Sequence, residues 1–351
     1  MTVKTSNREF YDTQRKETYP NAYPSGWYHL LDLKQLAPGC VRELKVLGKR
    51  LVVFRGRDSQ KISVLDAHCP HQGANLGVGG HVVGDCIRCP FHRWSFNGDG
   101  ELASIPGLDK IPRARIKSYP VREHYGMLWM YHDISGEVVE PPYEPQKIDD
   151  IDDGRLRYRG RYAPNDVNMH ISEFIENSVD FQHFSVLHGS MTIPWTQIKI
   201  PGFGIEHDAG WELDAERSHV AYFTNYAYLR FLGRHYRKSG AHAHVTLFGP
   251  GTTVWFRFSL PELGDIVMFQ THLPTAPLYQ QVRFRWWADT KIPRLLVWYV
   301  IGHWISQWRA DLEVWENKIM RPRPVLVSLD GPVHKMRRWV KQFYEQTTTP
   351  S

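Results

Sequence analysis

The stretch CPHQGANLGVGGHVVGDCIRCPFHRW, residues 69–94, contains two short pairs of one cysteine and one histidine. Cys69 and His71 are separated by one residue and Cys89 and His92 by two, with seventeen residues between the pairs. If all four side chains bind one metal centre, two separate loops must meet at one point. This requirement constrains the fold more than any other feature of the sequence.

The mixed pairing favours an iron–sulfur cluster over zinc, which is the alternative. Structural zinc sites usually pair like ligands locally, as Cys-x2–4-Cys and His-x3–5-His. Two mixed loops can instead each give one ligand to each iron of a [2Fe–2S] cluster held by two thiolates and two imidazoles, the Rieske arrangement. We therefore predict that Cys69, His71, Cys89 and His92 bind such a cluster. Glycines and prolines in the stretch would let the loops fold tightly around it: Pro70, Gly73, Gly79, Gly80, Gly84 and Pro90.

Composition indicates a globular protein. The chain has 351 residues, of which 42% are hydrophobic and 23% are charged, and this length is sufficient for two domains. The net charge of +6 is mild, and the absence of a basic block or recognition motif argues against a nucleic-acid partner. The N-terminus lacks the apolar core of a signal peptide, and four cysteines are too few for a secreted disulfide framework. We expect a soluble cytoplasmic protein in which Cys40 and Cys86 are isolated thiols.

The most apolar segment, residues 295–308, is too short to span a bilayer. We expect it to form a half-buried helix, with peripheral membrane contact as the alternative.

The chain is expected to be α+β. Short strands and turns from about Trp27 to Asp133, such as the hairpin pattern RELKVLGKRLVVFRG, indicate an antiparallel β domain. A segment rich in proline and acidic residues follows, and beyond it strands within 215–290 lie between helical segments. The predicted divisions are an N-terminal extension (1–24), a β domain with the cluster (25–135), a linker (136–154) and a second domain (155–351).

The helical run NDVNMHISEFIENSVDFQHFSVLHGS contains a second set of candidate metal ligands. His183 and His188, with one carboxylate, would form the ligand set of non-haem Fe(II), which leaves positions open for O2. Positions five apart lie ~140° from each other on a regular helix. His188 must therefore lie in a distorted last turn, with Gly189 as the C-cap. Asp180, one turn before His183, can accept the N–H of its ring.

The spacing of residues does not identify the carboxylate. Glu173 and Glu176 are close in sequence, and Asp311 lies on a predicted helix from about Pro293 to Lys318 that could pack against the first helix. His242 and His244 on a predicted strand form a more remote alternative metal site.

The two motifs together resemble the oxygenase component of the Rieske non-haem iron oxygenases. The cluster stretch, the run ENSVDFQHFSVLH and the tail DLEVWENKIMRPRPVLVSLDGPVHKMRRWVKQFY are similar to Neverland-type cholesterol 7-desaturases and bacterial 3-ketosteroid 9α-hydroxylases. The resemblance implies an antiparallel β Rieske domain followed by a helix-grip catalytic domain, an antiparallel sheet with helices. It places the iron at His183, His188 and Asp311, since Asp311 matches the family pattern D-x-x-x-W-E-N-K. It also implies a homotrimer in which Asp180 bridges a cluster histidine of one subunit to the iron of the next, with Asn177 near the iron.

The resemblance implies an enzyme, a monooxygenase or desaturase that uses O2 to oxidise a C–H position of a steroid or sterol. The alternatives are an aromatic or alkaloid-like substrate and a non-catalytic electron-transfer protein. The sequence has no flavin or nicotinamide motif, so a ferredoxin or an NAD(P)H-dependent ferredoxin reductase must supply electrons. An acidic partner could dock on basic residues near the cluster loops: Arg88, Arg93, Lys110, Arg113, Arg115 and Lys117. Arg93 departs from the small or acidic residue common at its position in the family, which puts the mode of partner docking in question.

Overall fold

The computed structural model describes residues 11–136, 140–327 and 329–345. The described parts of Ser25–Pro145 form one compact unit, and those of Met1–Pro24 and Gln146–Ser351 form the other. The predicted extension, linker and catalytic domain each include a few positions outside the described residues: 1–10, 137–139, 328 and 346–351.

The unit Ser25–Pro145 consists of three antiparallel sheets with the orders β1-β10-β9, β2-β3-β4 and β5-β6-β7-β8. In chain order the strands are β1 (Gly26–Asp32), β2 (Val41–Val46), β3 (Lys49–Arg55), β4 (Ile62–Asp66), β5 (His81–Val83), β6 (Cys86–Arg88), β7 (Ser95–Phe96), β8 (Leu102–Ser104), β9 (Val121–His124) and β10 (Met127–His132). A short 3-10 helix, Leu33–Gln35, follows β1.

The predicted hairpin in this unit is confirmed as β2 and β3. Its two turn residues, Leu47 and Gly48, have φ of 54° and 67°, and a turn with two positive φ values matches the twist of the paired strands. The core of the unit includes Phe54, Ile87 and Phe96. Cys69 and Cys89 belong to the same hydrophobic core, which therefore supports both of the predicted cluster loops directly.

The second unit contains one antiparallel sheet of eight strands, in the order β11-β18-β17-β16-β15-β14-β13-β12. The strands are β11 (Leu156–Tyr162), β12 (Ser190–Thr192), β13 (Lys199–Leu213), β14 (Val220–Phe231), β15 (Arg234–Phe248), β16 (Thr253–Leu260), β17 (Gly264–Ala276) and β18 (Tyr279–Asp289). The helices are α1 (11–18), α2 (Asp149–Asp152), α3 (Ser172–Asn177), α4 (Arg294–Trp315) and α5 (Val333–Lys341), and a π-helix spans Phe184–His188. The α+β prediction is confirmed.

The long helix α4 packs on the sheet through one face. Val297, Ile301, Ile305 and Trp308 recur at helical spacing and are each at most 2% exposed. Burying side chains of this size contributes about 1.5–3 kcal/mol each. The Trp308 ring lies edge-on to Phe284 of the sheet, with 5.1 Å between ring centroids. This packing fixes α4 across the sheet, where it can present polar residues of its next turns to the interior.

The outer face of α4 is apolar where the helix begins. Leu295, Trp298 and Tyr299 are 75%, 48% and 40% exposed, as the expectation of a half-buried helix requires. Among the described residues, no helix has the length and apolar character needed to cross a membrane.

Two segments that the sequence predicted to lie outside the domains pack on the second unit. The carboxylate of Asp150 in α2 forms ion pairs with Arg155 and Arg257, each with an N–O distance of 2.7 Å. Arg15 of α1 is 6% exposed and donates to the carbonyl oxygen of Trp315 at 2.9 Å. The end of the predicted linker and the described part of the extension are therefore held by specific contacts.

Candidate metal centres

The first of the two predicted cluster loops is closed by its own main chain. The Cys69 N–H donates to the Ala74 oxygen at 2.9 Å, and the Gly73 N–H donates back to the Cys69 oxygen at 2.9 Å. Gly73 has a φ of 74°, a conformation that glycine adopts without steric cost. The loop therefore turns within five residues and presents both Cys69 and His71.

The second loop repeats the hydrogen bonds of the first. The Cys89 N–H donates to the Trp94 oxygen at 2.8 Å, and the Arg93 N–H donates to the Cys89 oxygen at 3.2 Å. Arg93 occupies the position that Gly73 has in the first loop and has a φ of 59°. A side chain in the left-handed region costs roughly 1–2 kcal/mol, so the loop tolerates strain at Arg93.

The predicted cluster ligands differ in exposure. Cys69 and Cys89 are each 2% exposed, whereas His71 and His92 are at the surface. The two histidine rings lie 4.6 Å apart between centroids, and His71 stacks on Trp94 at 4.3 Å. Burial raises the pKa of the Cys69 thiol to about 11, and the nearby Cys89 adds to the shift. Bound iron would have to replace this proton, as it does at any thiolate ligand.

These four residues fit a two-iron cluster better than a single zinc ion. Tetrahedral zinc would hold its ligand atoms within about 4 Å of one another. Across the described ranges, just one group of three or more His, Cys, Asp or Glu ligand atoms lies within 4.8 Å, and it does not involve the loops. The wider spacing, with thiolates inside and imidazoles outside, leaves room for the cluster.

The compact group of ligand atoms belongs to His183, His188 and Asp311, all of which are buried. His188 Nε2 lies 3.0 Å from Asp311 Oδ1, and the two histidine rings are 5.1 Å apart between centroids. Asp311 Oδ1 nevertheless has no hydrogen bond of acceptable geometry from any described residue. A buried acceptor without a partner costs about 1–3 kcal/mol, and a cation held between the three side chains would remove that cost. Two imidazoles and one carboxylate form the ligand set of non-haem Fe(II).

A π-helix brings the two histidines together. The predicted distortion of the last turn takes this form, because Phe184–His188 is π-helical. Hydrogen bonds to the fifth residue along the chain align positions that a regular helix would separate by ~140°. Gly189 follows with a φ of −67°, so it is not the left-handed cap that glycine often forms. A Cβ at this position would lie 2.3 Å from the Ser185 oxygen, and the missing side chain permits this close approach.

The ring of His183 is held in one orientation. Its Nδ1–H donates to the main-chain oxygen of Asp180, and its main-chain N–H lies 3.4 Å from the Asp180 carboxylate. Nε2 is therefore the nitrogen that faces the other ligands. Burial lowers the pKa of His183 even though Asp311 opposes the shift, so the ring is neutral at pH 7 and can bind a metal.

Asn177 lies beside the same group of ligands. Its Nδ2 is 3.2 Å from His183 Nε2 and 3.4 Å from Asp311 Oδ2. The structure thus places both helper residues named from the sequence, Asn177 and Asp180, against His183.

The rival carboxylates point elsewhere. Lys318 pairs with Glu173 at 2.8 Å and with Glu176 at 3.3 Å, so both carboxylates are neutralised away from the histidines. His242 and His244 are exposed on β15 and are not part of the compact ligand group. Among the candidates left open by the sequence, Asp311 alone meets the two histidines.

A small cavity of about 40 Å³ borders the three ligands. This volume has room for a few water molecules, so a larger substrate requires its walls to move. Gln307 lies in the wall one helical turn before Asp311, and this i, i+4 spacing is a signal from which the sequence could have identified it. The apolar part of the wall consists of Phe174, Phe184, Val245, Leu247, Trp304 and Trp308.

A polar pair next to the π-helix, one residue buried and the other half-buried, was also missed. Asn225 Nδ2 lies 3.0 Å from His207 Nδ1, and the His207 ring packs 5.1 Å from that of Phe184. These residues lie on β14 and β13, and no local spacing in the sequence links them to the ligands.

Two of the predicted docking residues are engaged within their own unit. Arg88 donates to Ser95 Oγ at 3.1 Å, and Lys117 donates to the Gly136 oxygen at 2.7 Å. Of the predicted docking residues, Arg93, Lys110, Arg113 and Arg115 are exposed.

Both units match known protein families. Residues 26–120 match the Rieske [2Fe-2S] domain, and residues 130–344 match the 3-ketosteroid 9alpha-hydroxylase C-terminal domain.

Relatives over nearly the whole chain agree with these matches. The chain is 34% identical over 345 residues to the cholesterol 7-desaturase nvd of Xenopus laevis, covering 95% of this chain and 74% of the relative. It is 32% identical to the cholesterol 7-desaturase of Caenorhabditis elegans, with 94% and 78% covered. It is 30% identical to the probable 3-ketosteroid-9-alpha-monooxygenase, oxygenase component, of Rhodococcus rhodochrous, with 93% and 81% covered.

Solved structures share the fold at lower identity. NdmA of Pseudomonas putida CBB5 with caffeine superposes with a TM-score of 0.66 at 18% identity, covering 90% of this chain and 89% of that chain. Dicamba monooxygenase bound to 3,6-dichlorosalicylic acid superposes with a TM-score of 0.60 at 17% identity, with 92% and 98% covered.

The family matches and the relatives show an oxidoreductase whose cofactors are a [2Fe–2S] cluster and a mononuclear iron. The chain belongs to the Rieske non-haem iron oxygenases, in the group of the cholesterol 7-desaturases and the 3-ketosteroid 9α-hydroxylases.

Proposed function

We propose that this chain is an oxygenase component that oxidises a C–H position of a steroid or sterol with O2 and externally supplied electrons. The observation that carries the proposal is the meeting of His183, His188 and Asp311 at the wall of a largely apolar cavity. Relatives named for cholesterol and for 3-ketosteroids support the substrate class.

In this proposal the three buried residues hold the mononuclear iron, and neighbouring residues keep their side chains in position for binding. The bound iron would activate O2 for attack on an unactivated C–H bond. Asp180 fixes the His183 ring so that Nε2 faces inward, and Asn177 lies beside both His183 and Asp311. The apolar part of the cavity wall would limit the access of bulk water to the reacting groups.

Cys69, His71, Cys89 and His92 hold the [2Fe–2S] cluster in this proposal. Because the histidines are exposed and the cysteines are buried, a redox partner would approach the histidine side. We propose a ferredoxin or a ferredoxin reductase as the electron donor, since its acidic surface would complement the exposed basic residues near the loops. The cluster domain would span residues 25–135 and the catalytic domain residues 155–351.

Asp180 is the proposed bridge between subunits of a homotrimer. It is partly exposed, and its main-chain oxygen contacts the ring of His183. If a cluster histidine of a neighbouring subunit formed a hydrogen bond with the Asp180 carboxylate, Asp180 would be the single residue between that histidine and the proposed iron ligand His183.

The test is a panel of steroids incubated with the enzyme, a ferredoxin, its reductase and NADH. We expect steroid-dependent O2 uptake and a product whose mass shows either a gain of one oxygen, for hydroxylation, or a loss of two hydrogens, for desaturation. Asp311→Ala should abolish both signals while the visible spectrum of the cluster persists. Oxidation of aromatic or alkaloid compounds without oxidation of any steroid would contradict the proposed substrate class.

A further inference from the structure

The face of the sheet that borders the iron cavity continues into a strip of small side chains. Val245 lines the cavity, and Ala243 and Ala241 follow it at alternate positions of β15, so the three side chains share one face. Ala227 lies opposite Ala241 on β14, and Ala209 lies on β13 in the same row as Ala243. All four alanines are half-buried, whereas Val245 is 3% exposed. This alanine strip leads from the cavity wall towards the exposed start of β15, and its methyl side chains form a low, apolar surface.

Asn225 interrupts the alanine strip with one polar group. It pairs in register with Ala209 on one side and Ala243 on the other, so its side chain lies on the same face. Asn225 is 7% exposed, and its Oδ1 has no hydrogen-bond partner among the described residues. Native proteins rarely leave a buried acceptor unsatisfied, and such atoms often indicate a missing ligand or water.

His207 sets which atom of the Asn225 amide faces the strip. The amide Nδ2–H donates to His207 Nδ1 at 3.0 Å. With Nδ2 engaged in this way, the group that Asn225 offers to a ligand is an acceptor. This assignment follows from the hydrogen-bond network, which is how amide orientations are decided.

The pair is close to the iron ligands. Phe184, the residue after His183, packs against both His207 at 5.1 Å and Phe223 of β14 at 5.5 Å between ring centroids. A ligand that reaches from Asn225 along the sheet to Val245 therefore passes the π-helix that carries His183 and His188.

We propose that Asn225 Oδ1 accepts a hydrogen bond from a hydroxyl group of the substrate while the apolar body of the substrate lies on the alanine strip. The inference rests on the proposed function, and it specifies the substrate as a hydroxysteroid rather than the corresponding ketosteroid. A hydroxyl can donate to Oδ1, whereas a ketone oxygen only accepts and would face Oδ1 lone pair to lone pair. The relatives of this chain are named for a sterol, which carries a hydroxyl, and for a 3-ketosteroid, which carries a ketone. An acceptor at Asn225 favours the hydroxyl-bearing substrate.

The test measures equilibrium binding to the iron-loaded enzyme without an electron donor, by quenching of tryptophan fluorescence. The ligands are androstane steroids that carry a 3β-hydroxyl, a 3-ketone or no oxygen at position 3. We expect the hydroxysteroid to bind about tenfold more tightly than the ketone, the size of one neutral hydrogen bond. Asn225→Leu should abolish this preference and change binding of the oxygen-free steroid by less than about twofold.

Two controls separate recognition from loss of structure. Thr224→Val alters the neighbouring position on the opposite face of β14 and should keep the preference. Asn225→Leu also leaves His207 Nδ1 without its donor, so its melting temperature should fall, whereas its iron and acid-labile sulfide content should equal those of the wild type and show that the site is intact.

A hydroxyl preference that survives in Asn225→Leu would overturn the inference, and so would a wild type that binds the ketone as tightly as the hydroxysteroid. A ketone preference that disappears in Trp304→Phe would also overturn it and assign recognition to the Trp304 indole N–H, which has no acceptor among the described residues. Turnover distinguishes this failure from failure of the proposed function. Steroid oxidation without a hydroxyl preference contradicts only the inference, whereas selective binding without oxidation contradicts only the proposed function.

Discussion

At the scale of single residues, Asp180 contacts His183 through two different groups. Its main-chain oxygen accepts from the ring Nδ1–H, while its carboxylate lies near the main-chain N–H of His183. The orientation of the ring therefore depends on the main chain, and the charge of the side chain remains available for another role.

Replacing Asp180 by Asn separates these roles. We expect the variant to keep its iron and sulfide, because the main-chain contact to His183 remains, and to lose turnover by about a hundredfold or more. Metal analysis and steroid-dependent O2 uptake measure the two effects. Asp208→Asn, at an exposed position, is the matched control. Unchanged turnover in Asp180→Asn would refute the bridging role.

Gly189 is required for a steric reason that the sequence did not reveal. Gly189→Ala would place a Cβ 2.3 Å from the Ser185 oxygen, so the π-helix must shift and carry His188 with it. We expect the free energy of unfolding to fall by about 1–3 kcal/mol, together with a loss of iron but not of sulfide. Denaturant unfolding and metal analysis test this, with Ser190→Ala as the control. Full iron content in Gly189→Ala would show that the close approach is not needed.

At the scale of secondary-structure elements, α3 is positioned by a partly buried ion-pair network. Glu173 is 2% exposed and accepts from Tyr19, and Lys318 pairs with Glu173 and Glu176. Burial lowers the pKa of Lys318, but the two glutamates outweigh this effect and raise it overall. Because α3 ends at Asn177, this network holds the helix that places Asn177 beside His183 and Asp311.

Removing the cation tests this network. Lys318→Met leaves Glu173 buried without its partner, and we expect a loss of about 3–5 kcal/mol in the free energy of unfolding. Since the folded-state pKa is raised, the contribution of Lys318 is complete below the unfolded pKa of ~10.4 and is lost only as the pH rises through the folded value. The difference between variant and wild type should therefore be constant from pH 6 to pH 9 in denaturant titrations. Lys341→Met, at an exposed pair with Glu345, should cost at most about 1 kcal/mol. An equally small effect for Lys318→Met would contradict the account.

The elements that the sequence predicted well are those with a regular pattern. The β2–β3 hairpin has a turn signal, and α4 has buried residues at helical spacing. β13 was not predicted, because KIPGFGIEHDAGWEL contains a proline, three glycines and no clear alternation. Its strand conformation depends on pairing along its length with β14, which is a tertiary contact.

The residues of the candidate site also differ in whether a local sequence pattern could predict them. His183 and His188 could be found from local spacing, and only a distorted turn was needed to join them. Asp311 is 123 residues beyond His188, and its place in the site depends on how α4 crosses the sheet. The sequence therefore left several carboxylates open until the family pattern singled out Asp311. Asn225 and His207 had no local signal at all, since two strands bring them together.

At the scale of the whole molecule, the net charge of +6 includes exposed basic residues that lie in or just after the predicted cluster loops in the sequence. We expect Arg93→Gly to raise the KM for an acidic ferredoxin about two- to fivefold and to weaken its dependence on ionic strength. The variant should keep its cluster, because glycine adopts the positive φ of this position more readily than arginine. Steady-state kinetics at several salt concentrations measure the effect, with Arg55→Gln outside the loops as the control. Identical salt dependence in Arg93→Gly and the wild type would exclude Arg93 from the docking surface.

The whole account requires two different iron centres in one chain. The most direct measurement is iron and acid-labile sulfide per chain in the purified enzyme, together with the EPR spectrum after reduction with dithionite. We predict about three iron atoms and about two sulfides per chain, a spectrum of a reduced [2Fe–2S] cluster with histidine ligands, and the loss of one iron but no sulfide in Asp311→Ala. Zinc in place of iron, or a wild type that holds two irons and no more when fully loaded, would contradict it.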